Sequence, residues 1–271
     1  MSYPKYFNPG NYFRYIRNRI INLRIRYGAP MPVWVEALNE KICFVVSSEK
    51  EYWMRSQLSY EAEKTTMYWI ENIIKKDDVI YDVGANVGAY SLLIGKKISS
   101  KGALYSFEPE SANYFSLNRN IVTNNLSQKI TAICMGFDEI FKIDKFYLSS
   151  LIPGSATHSV GKPESEGVSF DPLHEQGIIT MSIDEFVALA GVKFPNHLKI
   201  DVDGNEGLIV RGARKTLADE RLKTLVIEIS ENVSQGQVEK MIKEYGLVEK
   251  KKEVWESDGP HGTILNYLYG R

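Results

Sequence analysis

Residues 79–91, VIYDVGANVGAYS, constrain what this chain can fold into more than any other stretch. Val79, Ile80 and Tyr81 make a short apolar strand, a turn with glycines at 84 and 88 follows, and a helical pattern begins at once. Strand, glycine turn and helix in direct succession open an α/β unit. Glycine lets the turn's backbone approach a ligand, and the helix N-terminus offers free N–H donors. The chain then keeps this rhythm. Short apolar runs at GALYSFEP, KITAIC, NHLKIDVD and KTLVIEIS alternate with the helical stretches SANYFSLNRNIVTNN, SIDEFVALAG and EGLIVRGARKTLAD. Such alternation predicts a doubly wound α/β fold, a parallel sheet covered on both faces. Ser182 and Glu185 have capping-box spacing with Gly191 as the stop, and Ser234, Gln237 and Gly246 repeat the pattern. At the end, GLVEKKKEV and GTILNYLYG are joined by too few residues for a helix, which predicts an antiparallel hairpin closing a mostly parallel sheet.

Two regions break the rhythm. Residues 1–70 read as an N-terminal extension to a domain spanning 71–271, with strands expected at VWVEAL and KICFVVS. No acidic residue precedes Glu36, whereas Lys5, Arg14, Arg17, Arg19, Arg24 and Arg26 all do, and Phe13, Ile16, Ile20, Leu23 and Tyr27 share one helical face. Residues 12–27 are therefore expected to form a basic amphipathic helix. Packing on its own domain or self-association is the plainer expectation, and contact with an anionic membrane surface is the alternative. Residues 149–177, rich in Ser, Gly, Pro and His, are expected to form a functional loop. The net charge of −1 argues against an electrostatic nucleic-acid binder. Cys43 and Cys134 lack metal-ligand spacing and are expected as buried free thiols in a reducing compartment. No apolar run suits a membrane span or signal peptide, so a cytoplasmic protein is expected, with peripheral membrane contact as the variant.

The spacing of the glycine turn narrows its ligand. A dinucleotide fingerprint needs glycine at relative positions one, three and six. Counted from Gly84, those positions hold Gly84, Asn86 and Ala89. Asn86 would crowd a pyrophosphate. S-adenosylmethionine carries no phosphate and does not need that space. Glu108, at the end of the next strand, can accept both ribose hydroxyls of an adenosine. The candidate cofactor contacts are Asp82, Gly84, Ala85, Asn86, Gly88 and Glu108.

The motifs DVGANVGAYS, SFEPESANYFSLNRNI, MSIDEF and LKIDVDGNEGLIVRGA followed by LVIEIS resemble the FkbM-type methyltransferase family, across residues 60–235. The resemblance implies the class I methyltransferase (Rossmann-like) sheet, S-adenosylmethionine as methyl donor, and usually methylation of a hydroxyl on a sugar or polyketide. By position it assigns Asp82, Gly84, Asn86, Gly88 and Glu108 to cofactor binding. Within DVDGNE, Asp203 is a conservative departure from the family pattern. Asn205 stands where a small residue is more usual, which bears on the acceptor pocket.

Methyl transfer to oxygen needs a positioned acceptor and a group to take its proton. Asp201 and Glu228 are expected at the tips of the fourth and fifth strands. Asp201 is the first choice as base or metal ligand, with Glu228 and His261 as alternative bases. Asp201 and Glu228 together could hold a divalent cation such as Mg²⁺. Asp203 and Glu206 have the spacing of a helix cap. His158 and His174, in the long loop, could reach over the site, although a surface position is the plainer expectation. His197 falls at the wrong end of its strand. Lys199, Asp201 and Glu228 are similar to part of the Lys–Asp–Lys–Glu tetrad of RNA ribose methyltransferases, but the second lysine has no counterpart that can be placed. The Asn/Asp-Pro-Pro-aromatic run of amino-methylating nucleic-acid enzymes is absent. The expected function is O-methylation of a hydroxyl on a saccharide or glycoconjugate, with a small-molecule or glycan acceptor. RNA ribose 2′-O-methylation and a non-catalytic scaffold on the cofactor fold are the competing readings.

Overall fold

The structure is a computed structural model that describes residues 19–20, 23–24, 29–255 and 262–271. The helix expected at 12–27 lies mostly outside these residues, and His261 wholly so. The described elements open with a hairpin, β1 (Met31–Ala37) and β2 (Glu40–Val46), turned by Leu38 and Asn39 in left-handed conformations. A π-helical segment (Glu51–Leu58), one α-turn (Ser59–Ala62) and helix α1 (Lys64–Asn72) follow. Next come β3 (Val79–Val83), α2 (Ala89–Lys97), β4 (Ala103–Phe107), α3 (Ser111–Thr123) and β5 (Ile130–Ile133). An excursion then holds β6 (Gly136–Phe137), β7 (Lys142–Leu148), β8 (Ser159–Val160), β9 (Glu164–Ser165), β10 (Val168–Ser169) and β11 (His174–Met181). The chain returns through α4 (Ile183–Val187), β12 (His197–Ile200), α5 (Glu206–Arg211), α6 (Arg214–Ala218), β13 (Thr224–Ser230), α7 (Gln237–Glu244), β14 (Val248–Trp255) and β15 (Ile264–Gly270).

Seven strands form the main sheet in the order β14-β15-β13-β12-β3-β4-β5. Pairing is parallel from β13 to β5, and β15 lies antiparallel between β13 and β14. The short apolar runs become strands because both faces are covered. Ile80 joins one core while its neighbours Val79, Tyr81 and Val83 join the other. The extension supplies part of the first core. Val33, Ile42, Phe44, Tyr52, Trp69 and Ile70 pack with Ile80, Leu92 and Leu117. The free edge of β2 is satisfied by side chains of α3 and of its C-cap residue. Asn124 bonds both Cys43 N and Cys43 O, and Asn120 accepts from Val45 N.

Several expectations change in detail. The stretch 149–177 belongs to an excursion built on a second, four-stranded sheet, order β6-β11-β7-β8. Strands β7 and β11 escape a pattern reading because their apolar residues fall on both faces. Ile143 and Ile179 pair directly and point outward, 78% and 50% exposed, whereas Thr180 is buried. No clean period of two survives such mixing. The long stretch EGLIVRGARKTLAD breaks into α5 and α6 at Gly212, where a Cβ would lie 2.3 Å from Asp138 O. The Ser182–Glu185 capping box is present with both reciprocal bonds. Ser234 instead closes a short helical turn, and α7 starts at Gln237 after a left-handed Gly236. Cys43 is a buried free thiol as expected, but Cys134 is free and exposed. Among the described residues no helix is long and apolar enough to cross a membrane.

Candidate active site

The turn after β3 is tied to the neighbouring strand tips. Gly84 N and Ala85 N both donate to Phe107 O at 3.0 Å. Gly84 has φ +84°, and a Cβ there would lie 1.8 Å from Asp201 O. Only glycine lets β3 and the end of β12 come this close. Asn86 is also left-handed, at φ 51°, a conformation that Asn tolerates better than most residues. Its N–H donates to Glu108 Oε2 at 2.8 Å. Gly88, at φ +94°, precedes α2, and a Cβ on it would meet Leu117 Cδ1 at 2.7 Å.

Gly84, Asn86 and Glu108 line one side of a cleft of about 630 Å³, its open mouth included. Phe107, Met135 and Phe137 form an apolar wall, the loop from Asp201 to Asn205 forms a lip, and Ser155, His158 and Val160 form a roof. Ala85 and Gly88 shape the turn without lining the cleft. Asp82 does not line it either. It lies 1% exposed under the turn and accepts from Ser91 Oγ at 2.5 Å, which fixes the first turn of α2. Glu108 is 5% exposed and also accepts from Glu110 N at 2.8 Å. Burial pushes its carboxyl up to about 8, against the downward pull of the Glu110 and Asn86 N–H groups. These residues fit S-adenosylmethionine. A glycine turn without pyrophosphate space, a buried carboxylate and an apolar wall stand around one cleft.

The shift of Glu108 carries a testable consequence. The role that the family resemblance implies for Glu108, accepting both ribose hydroxyls, is best filled by the ionised carboxylate, which the free protein reaches below pH 8 only by losing the Glu108 proton. Calorimetric affinity for S-adenosylhomocysteine should therefore weaken about tenfold per pH unit below 8 and level off above it, with Glu108→Gln flattening the profile. In the free protein the sign is opposite. The folded carboxyl holds its proton to about pH 8 while its ordinary value is 4.5, so its contribution to stability is full below pH 4.5 and is lost by pH 8.

On the acceptor side, Asp201 follows directly on β12 and lines the cleft. Lys199 Nζ lies 2.6 Å from Asp201 Oδ2 and 5.1 Å from the Tyr90 ring centroid. Burial opposes the charge on Lys199, but Asp201, Glu63 and Asp82 outweigh it and hold the ammonium protonated well above its usual range. Glu228 behaves in the opposite way. Burial first, then repulsion from Asp201 and Glu63, pushes its carboxyl far above the usual range, so its protonated form is favoured. Glu63 enters this cluster from the turn before α1. Its Oε2 accepts from Thr66 Oγ1 at 2.8 Å and from Asn266 Nδ2 at 3.5 Å. No motif marks Glu63 in the sequence, because only the packing of α1 on the sheet brings it over the strand tips. Among the described residues no group of three or more His, Cys, Asp or Glu is placed to hold a metal ion.

The remaining candidates separate clearly. Asp203 does not cap α5. Its Oδ2 accepts from Thr157 N at 2.8 Å and its carbonyl from Glu166 N at 3.2 Å, which docks the excursion onto the strand tips. Glu206 accepts from Gly204 N at 3.0 Å and is pushed by burial to about 7. His158 is buried against the cleft, while His174 is exposed on β11. His197 sits at the opposite end of the sheet, between Asp78 and Thr224.

A seven-stranded sheet with this order, a glycine cradle after its first central strand and a buried acid after the next define a class I S-adenosylmethionine-dependent methyltransferase. The chain belongs to the FkbM methyltransferase family: the Methyltransferase FkbM domain matches residues 82–256. It is 26% identical over 216 residues to the hexuronic acid methyltransferase AglP of Haloferax volcanii, covering 80% of this chain and 82% of that protein. Among solved structures it is similar to an FkbM methyltransferase of Methylobacillus flagellatus, with TM-score 0.48 and 17% identity over 82% of this chain. The chain spans 51% of the length of that structure. It is also similar to an S-adenosylmethionine-dependent O-methyltransferase of Thermotoga maritima, with TM-score 0.45 and 14% identity, covering 93% of this chain and 80% of that one.

Proposed function

We propose that this methyltransferase methylates a hydroxyl oxygen of a saccharide and that Asp201 takes the hydroxyl proton. The observation that carries the reading is the place of Asp201, which lines the cofactor cleft with its backbone against Gly84. When bound, S-adenosylmethionine supplies an electrophilic methyl group on a sulfonium. The chain's own residues then have two tasks. They hold an acceptor oxygen in line with that methyl, which is worth roughly 7–11 kcal/mol of the barrier. They also remove its proton as the carbon–oxygen bond forms and the carbon–sulfur bond breaks. Lys199 is held protonated and Glu228 favours its protonated form, so neither suits the role of base.

The saccharide class is supported by the hexuronic acid methyltransferase that the chain resembles. A divalent cation between Asp201 and Glu228 has less support, because Lys199 already occupies Asp201 Oδ2. Incubation with S-adenosylmethionine and a panel of neutral sugars, uronic acids and glycans should release S-adenosylhomocysteine, with the same rate in EDTA. Turnover on RNA but on no saccharide would overturn the acceptor class, and a strict Mg²⁺ requirement would restore the cation.

A further inference from the structure

Between β7 and β8 the excursion crosses the strand tips and is tied down from below. Asn86 Nδ2 and Asn113 Nδ2 both donate to Ser155 O, at 2.8 and 3.1 Å. Asn113 Oδ1 accepts from Gly154 N at 2.7 Å, and Arg55 Nε donates to Gly154 O at 3.1 Å. Together with the Asp203–Thr157 bond these contacts set residues 155–160 as a roof over the cleft that holds Glu108.

Two side-chain atoms of this roof are buried and have no partner among the described residues: Ser155 Oγ and His158 Nε2. Their residues are 1% and 6% exposed, and both line the cleft. The tautomer of His158 follows from its other nitrogen. Nδ1 accepts from Ser149 N at 3.2 Å, so the ring proton sits on Nε2, a buried donor on a residue that lines the cleft. Burial and the charges of Lys50 and Arg55 push the imidazole down to about 4, so the ring is neutral at pH 7. It is therefore not a base, because its accepting nitrogen is occupied by backbone. A buried donor without a partner is unfavourable, and a ligand acceptor would relieve it. The surroundings indicate what kind of acceptor. Phe146 meets the His158 ring edge-on at 5.9 Å between centroids, and Phe137 and Val160 line the same cleft. This apolar slot with one neutral N–H suits a flat heteroaromatic ring.

We propose that His158 Nε2–H donates to a ring nitrogen of the cofactor's adenine, with Ser155 Oγ as a second polar contact. The excursion is then a cofactor-recognition element as well as a cover. The inference rests on the cofactor and is independent of the acceptor reading. It is tested by calorimetry of S-adenosylhomocysteine and its 1-, 3- and 7-deaza analogues, each with one adenine ring nitrogen replaced by C–H. The intact protein should bind one analogue about tenfold more weakly than the parent. His158→Phe should bind the parent and that analogue equally. His158→Gln, which keeps an N–H near the same place, should restore part of the difference and guards against a folding artefact in the phenylalanine variant. Equal binding of all three analogues to the intact protein would overturn the proposal, as would undiminished discrimination in a folded His158→Phe. Loss of all binding in the intact protein would instead point to the cofactor assignment.

Discussion

Gly84→Ala is expected to abolish measurable S-adenosylhomocysteine binding and to lower the melting temperature. The added Cβ would lie 1.8 Å from Asp201 O, a backbone atom that cannot rotate away, at a φ of +84° that alanine adopts reluctantly. Overpacking and left-handed strain together cost roughly 2–4 kcal/mol. For a domain of this size that is a drop on the order of 5–10 °C. Relief requires β3 and the tip of β12 to separate, which moves the cofactor turn and Asp201 at once. Gly177→Ala is the matched control. Its Cβ would meet nothing within 4 Å, and its melting point should stay within a degree or so of the unaltered protein. A Gly84→Ala protein that melts and binds normally would show that the two strand tips are not packed as described.

Asp201→Asn should lower kcat by roughly 10²–10⁴ while leaving S-adenosylhomocysteine binding in place. The amide keeps the shape of the carboxylate and can still accept from Lys199 Nζ at the 2.6 Å contact, but it cannot take a proton from a hydroxyl. Glu228→Gln should cost less than about tenfold, because the amide resembles the protonated carboxyl that burial already favours. The pair also discriminates between acceptor oxygens. A hexuronic acid offers hydroxyls and a carboxylate, and a carboxylate needs no base. If Asp201→Asn kept its kcat within a few-fold, a carboxylate oxygen would be the acceptor and the hydroxyl assignment would fall. If both substitutions lowered binding and melting temperature without a selective loss in kcat, Asp201 would be a structural partner of Lys199 only.

Part of this site is legible in the order of residues along the chain. Gly84, Asn86, Gly88 and Glu108 are readable because their relation is local. A strand, a turn and a helix in succession leave few positions for a ligand, and the next strand of a parallel sheet must end beside the first. Asp201 and Glu228 are readable as strand tips for the same reason. Their chemical difference is not. Lys199 ion-pairs with Asp201 at 2.6 Å and acts on Glu228 only at longer range, a distinction set by side-chain geometry across two strands. Glu63 carries no local signal because it arrives from the extension by packing of α1. Asp82 reads as a cofactor contact because it opens the motif, yet its side chain turns inward to Ser91.

The sheet, its antiparallel close and the donor half of the reaction can be read from residue order alone, because apolar runs, glycine positions and connection lengths act over a few residues. What faces the cleft depends instead on packing between distant parts of the chain. That packing raised a second sheet out of residues with mixed faces, carried His158 from an ordinary polar stretch to a buried position, and fixed its tautomer through a backbone N–H. Burial, charge balance and the placing of a proton depend on groups far apart in the chain, and no local pattern records them.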